Sequence, residues 1–189
     1  KTDFSAQISA AKDAGADLVF LPIYYQQASL ILTQCKSANY NPTFFGCDGL
    51  DGILSIKNFD TSLCEGVMLL TPFAADAQDQ ATQDFVKKYK DAYKGETPNQ
   101  FAADAYDGVM VLAELMKKEG ITADMSASDI CDKLKKAITD KDFSYDGLTG
   151  TGMKWGEDGA VSKAPKAVII KNGAYSALTA DDIAASTAQ

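Results

Sequence analysis

Two tyrosines and an aspartate stand where an α/β chain commonly places its ligand. Tyr24 and Tyr25 follow the apolar run Leu18-Val19-Phe20-Leu21 after Pro22 and Ile23, and Asp48 follows Thr43-Phe44-Phe45-Gly46 after Cys47. Proline cannot donate to a sheet ladder, so Pro22 ends the first run as a strand. Ligands of open α/β sheets sit in the crevice at the carboxyl ends of the strands. A phenol there offers an apolar ring with a polar tip. A carboxylate there can serve as the counter-charge of a ligand or, in an enzyme, as a general base. The plainer alternatives are a tyrosine covering a strand end and an ordinary Asp48-Gly49 turn. The matching positions of Tyr24 and Asp48, each just past its own strand, favour a site.

Composition removes much of the competing chemistry. The chain has 189 residues, no histidine and a net charge of −8, and all 18 of its basic residues are lysines. Without histidine there is no Ser-His-Asp triad, no Cys-His pair and no histidine metal site. Without arginine there is no bidentate clamp on phosphate or carboxylate. The acidic balance argues against nucleic acid, whose phosphates need a basic face. Neither a cofactor nor a metal site is indicated. The 4 cysteines, Cys35, Cys47, Cys64 and Cys131, show no metal-like spacing. Buried free thiols are the simplest reading, and a Cys47–Cys64 pair across neighbouring strands stays open. No apolar stretch is long enough to cross a bilayer, and no signal peptide is visible at Lys1.

The elements that position these residues alternate. Asp3 caps a first helix carrying Phe4, Ile8 and Ala11 on one face, with Gly15 as its stop. The run from Leu18 reads as a strand buried on both faces of a parallel sheet. A helix over residues 26–38 carries Ala28, Ile31, Leu32 and Cys35 on one stripe. The second strand, a short helical segment to Ile56, and a third strand over 66–70 complete an α/β group. After Thr71-Pro72 the chain becomes helical. One helix over 79–93 buries Phe85, Val86, Tyr89 and Tyr93. A longer one opened by Pro98 carries Phe101, Ala105, Val109, Leu112 and Met116 on its stripe. A third has a Ser126/Asp129 capping box. A short strand at 153–155 and a hairpin of 167–171 and 174–178 around Asn172-Gly173 finish the chain. The alanine-rich tail from Thr179 reads as mobile. The middle helices have apolar faces and no sheet of their own to cover, which fits the carboxyl-terminal part of a longer chain.

Several stretches together resemble the periplasmic solute-binding proteins of ABC transporters, of the branched-chain amino-acid type. They are Asp3-Phe4-Ser5-Ala6-Gln7, the strand into Tyr24-Tyr25, Phe45-Gly46-Cys47-Asp48-Gly49, Glu65-Gly66-Val67, Phe101 to Asp107, and the final hairpin. The resemblance implies a two-lobed type I binding-protein fold whose α/β lobes close on a ligand. It divides the chain into 1–71 (most of the second lobe), 72–163 (helices and a strand returning to the first), 164–178 (the hairpin rejoining the second) and the tail 179–189. It implies that Tyr24 contacts the ligand, that Asp48 pairs with an α-ammonium, and that Phe101 lines the cleft from the other lobe, with Tyr25 a weaker candidate. Tyr106 and Asp107 are weaker still, and Trp155 is packing. Many members carry glutamate where Asp48 stands, so the reach is shorter here. The groups that hold the ligand carboxylate lie in the lobe upstream. The implied protein is not an enzyme. The resemblance implies an extracytoplasmic binding component, free or lipid-anchored, that delivers an amino acid or similar small ligand to a membrane permease. The rivals are a receptor's ligand-sensing domain on the same fold and an α/β enzyme using Asp48 as base.

Overall fold

Alternating apolar runs and amphipathic segments fold as the spacing predicts over the first third of the chain. In the computed structural model, which describes residues 2–187, these segments are α1 (Ser5–Asp13), β1 (Leu18–Leu21), α2 (Tyr25–Ser37), β2 (Thr43–Gly46) and β3 (Met68–Thr71). Three short 3-10 turns, Asp48–Leu50, Ile53–Ser55 and Thr61–Cys64, lie between β2 and β3. The chain divides into two compact units, one formed by residues up to Gln78 together with Pro165 onward, the other by Asp79–Ala164.

The first unit is a five-stranded sheet of order β1-β2-β3-β4-β5, with β4 (Lys166–Lys171) and β5 (Ala174–Ala177) forming the closing hairpin. β1, β2 and β3 run parallel, and β4 joins β3 antiparallel with Leu69 opposite Val168. The hairpin turns on Asn172 and Gly173 at φ 51° and 73°, the left-handed pair that matches the twist of its strands. One sheet face, through Leu21, Leu69, Val168 and Ile170, packs against Ile8 of α1 and the stripe Ala28, Ile31, Leu32 and Cys35 of α2. All 4 cysteines are free thiols, so Cys47 and Cys64 do not pair. Burial drives the Cys64 thiol up to about 12.

The other sheet face corrects the expectation for β1. Leu18 and Phe20 are 54% and 52% exposed, so this strand is not buried on both sides. It is the edge strand of the sheet, and alternation sends Leu18 and Phe20 away from the helices that cover Val19 and Leu21. Phe20 stacks instead on Phe45 of β2 at 5.9 Å.

The tail expected to be mobile forms α6 (Ala180–Thr187) and is anchored to this second face; its last two residues, like Lys1, lie outside the described residues. Thr43 Oγ1 donates to the Ser186 carbonyl at 3.2 Å, and Lys171 pairs with Asp182. Asp182 also accepts from the Thr179 N–H and hydroxyl, a reciprocal cap at the helix start.

The second unit holds α3 (Gln80–Ala92), α4 (Gln100–Lys118) and α5 (Ala127–Ile138), capped by Asp79, Asn99 and Ser126. Ser126 and Asp129 form the expected capping box, whereas Pro98 precedes α4 and Asn99 makes its cap. In place of a strand at 153–155, Met153 and Trp155 form isolated bridges to Tyr145 and Val161. The apolar stripe of α4, expected to have no sheet of its own to cover, is exposed: Val109 is 65% exposed, and Phe101, Leu112 and Met116 are exposed as well. Likewise Tyr93 of the preceding helix is exposed and stacks on Tyr89 at 4.4 Å.

The face of α4 that packs is Ala103, Asp107, Val111 and Leu115, with Val111 and Leu115 meeting Ala137 of α5 and Phe143. Asp107 anchors the packed face. Its buried carboxylate accepts from Leu148 N–H (2.9 Å), Thr149 N–H (2.8 Å) and Thr149 Oγ1 (2.7 Å), and a methyl group at Gly147 would sit 2.5 Å from it. A buried charge demands such donors.

Two outcomes follow from these contacts. Hydrogen bonds hold the Asp182 carboxyl down to about 2, against about 3.9 in an unfolded chain, so its contribution to docking α6 is complete above about pH 4 and lost as pH falls through about 2. Helix signal from the tail should fade across that window, and Asp182→Asn should flatten the dependence. Asp107→Ala strands buried N–H groups of Leu148 and Thr149 and should cost about 3 kcal/mol in urea unfolding.

Candidate functional site

Parallel pairing brings the two strand ends together. Leu21, the last residue of β1, is opposite Gly46, the last of β2, so the segments that follow rise from the same end of the sheet. After β1 the chain passes through Pro22 and Ile23 to Tyr24, which is extended (φ −85°, ψ 157°) and is the N-cap residue of α2. After β2 it passes through Cys47 into the 3-10 turn Asp48–Leu50, closed by Asp51 N–H donating to the Asp48 carbonyl at 3.0 Å.

Two glycines set how near these segments lie. A Cβ on Gly49 would stand 2.6 Å from the Ile23 carbonyl oxygen and 3.5 Å from Tyr24 Cα. A Cβ on Gly46 would stand 2.2 Å from Leu50 Cδ1. Backbone therefore packs on backbone, and Leu50 and Ile53, both fully buried, wedge the turn into the core. Asp48 is thereby placed on the same loop cluster as Tyr24.

The candidates differ in what surrounds them. Tyr24 is 63% exposed, so its ring is held outside the core at the strand end. Asp48 is exposed in the first position of its turn. Tyr25 is half-buried against the core cluster. Phe101 lies in the first turn of α4 in the second unit and is 37% exposed, so it is no core residue of that unit. Tyr106 meets the Phe85 ring at 5.1 Å, Asp107 is the caged carboxylate already described, and Trp155 stacks on Phe143 at 6.0 Å. Among the described residues no group of three or more acidic or thiol side chains could hold a metal ion, and no helix is long and apolar enough to cross a membrane.

Sequence reasoning missed the parts that fix Asp48. Gly52 N–H donates to the Tyr175 hydroxyl at 3.2 Å, and that phenol also hydrogen-bonds the buried carboxylate of Asp51. Burial and the neighbouring Asp51 push the Tyr175 hydroxyl far above the ordinary tyrosine range. The signal was the doubled Asp-Gly pattern of Asp48-Gly49 and Asp51-Gly52, with Gly52 at φ 100°.

A family model described as periplasmic binding protein matches residues 1–174. The chain belongs to that family. A leucine-, isoleucine-, valine-, threonine- and alanine-binding protein of Pseudomonas aeruginosa is 31% identical over 119 residues, which is 62% of this chain and 31% of that protein. A leucine-binding protein of Thermotoga maritima superposes with a TM-score of 0.74 at 26% identity over 96% of this chain and 50% of its own. An ABC-transporter solute-binding protein of R. palustris in complex with benzoate shares the fold, with a TM-score of 0.78 at 18% identity over 94% of this chain and 46% of its own. The chain thus spans about half the length of the solved structures it matches. The periplasmic binding protein fold is the α/β architecture described above, and this chain is part of it.

Gly49→Ala tests the close approach. The added methyl group meets a backbone carbonyl that has no rotamer to escape through, so unfolding in urea should show a loss of about 1–3 kcal/mol.

Proposed function

We propose that this chain is part of the substrate-binding component of an ABC transporter, working outside the cytoplasmic membrane, capturing an amino acid or a related small ligand and delivering it to the permease. The observation that supports this reading is the close approach of Gly49 to the Ile23 carbonyl and Tyr24 Cα, which joins the backbone segments carrying Tyr24 and Asp48 at one end of the sheet. The names of the P. aeruginosa and T. maritima relatives support an aliphatic amino acid as ligand.

In this reading Asp48 neutralises the ligand's α-ammonium group, because a cation removed from water needs a fixed anion. Tyr24 covers the ligand with its ring and offers its hydroxyl. Residues 1–71 and 164–178 belong to one lobe and 72–163 to the other, and Phe101 lines the cleft from that other lobe. The lobes close about a hinge because the ligand binds the closed state more tightly than the open one. No bond is made or broken.

The benzoate complex of the R. palustris protein keeps a second ligand class in view, an aromatic acid with no ammonium group. Asp48→Asn in the full-length protein separates the two. Calorimetry should show L-leucine affinity lowered by about 100-fold or more, the scale of a buried charge left without its partner. Unchanged affinity would count against the ammonium role, and benzoate is the next ligand to titrate.

A further inference from the structure

We propose that Tyr175 is a positioning residue for the ligand site, holding the Asp48 turn from the terminal hairpin through Asp51 and Gly52. The inference rests on the reading of Asp48 as the partner of a ligand ammonium group, and it adds a residue from a remote segment to that site.

Asp48 and Asp51 are the two ends of one tight turn, joined by the Asp51 N–H to Asp48 carbonyl bond of 3.0 Å. Whatever fixes Asp51 therefore fixes Asp48. Asp51 is 5% exposed, and a carboxylate so deep must be held by donors. The Tyr175 phenol is one of them, and its oxygen in turn accepts the Gly52 N–H at 3.2 Å. A single hydroxyl thus engages two successive residues of the loop, as donor to one and acceptor from the other.

The hairpin sets where that hydroxyl stands. Tyr175 is opposite Ile170, a fully buried core residue, and the left-handed Asn172-Gly173 turn fixes this register. The hairpin strand β4 begins at Lys166, just after the chain leaves the second unit at Ala164. The polypeptide that returns from one unit therefore carries the group that steadies the binding loop of the other. Phenylalanine would fill the same volume, so the hydroxyl is the part with a positional task.

The test compares full-length wild-type protein with Tyr175→Phe, which keeps the ring and removes the bond. Amide hydrogen exchange over residues 48–53 should rise about tenfold, with α3 to α5 unchanged, because losing one hydrogen bond to a charged group is worth about one decade. Affinity for L-leucine should fall about tenfold, while affinity for 4-methyl-2-oxopentanoate, which lacks the ammonium group, should change less than about twofold. Unchanged exchange over 48–53, or an equal loss for both probes, overturns the proposal. Asp48→Asn run alongside keeps the two readings apart. Retained leucine affinity in that variant sinks the ammonium role, whereas the exchange result judges the hold of Tyr175 on the loop without any ligand.

Discussion

The candidate site depends on a place where there is no room for a methyl group. At the carboxyl ends of β1 and β2, Gly49 lies against the Ile23 carbonyl and Gly46 against Leu50, so two loops that would otherwise wander share one rigid platform. Loops are ordinarily the mobile part of an α/β domain. Here the second loop is a wedge, with Leu50 and Ile53 sunk in the core and only the Asp48 end of the turn left outside. Binding to such a preformed surface spends little free energy on ordering it.

Both units use the same device to fix a turn. In the first, the Asp51 carboxylate is buried beside Gly52 and tied to a tyrosine from a distant strand. In the second, the Asp107 carboxylate is buried in α4 and gathers the backbone of Gly147 to Thr149, forty-odd residues on. In each case a charge that cannot be left bare recruits donors from a distant part of the chain, the Tyr175 phenol in one and the N–H groups of Leu148 and Thr149 in the other.

Much of the first unit was legible because its periodicities were unambiguous. The stripe Ala28, Ile31, Leu32, Cys35 has one solution as a helix, and Thr43 to Gly46 between a turn and a glycine has one as a strand. α4 carries two stripes. Phe101, Ala105, Val109, Leu112 and Met116 look more apolar than Ala103, Asp107, Val111 and Leu115, and periodicity favours the first set. The first set is the face with no sheet to cover and is exposed, whereas the second packs through Asp107, whose donors lie too far along the chain for any local pattern to reveal. β1 was misread because a run of four apolar residues does not say whether its strand is an edge. Tyr24 and Asp48 could be nominated from their positions after strands, but Tyr175 looked like any aromatic in a hairpin.

The antiparallel join of β3 to β4 also governs the order in which this unit can assemble. As the chain emerges from a ribosome, α1 to β3 can pair at once, because β1, β2 and β3 are close in sequence. The partner of Leu69 is Val168, made only after the whole helical unit has been synthesised. During that interval the apolar strand Met68-Leu69-Leu70 presents a bare row of amides and carbonyls, the kind of edge that recruits another chain. Arrival of the hairpin seals it, and the same event delivers Tyr175 to the loop of Asp51 and Gly52. Protection from misassembly and completion of the candidate site are one kinetic step.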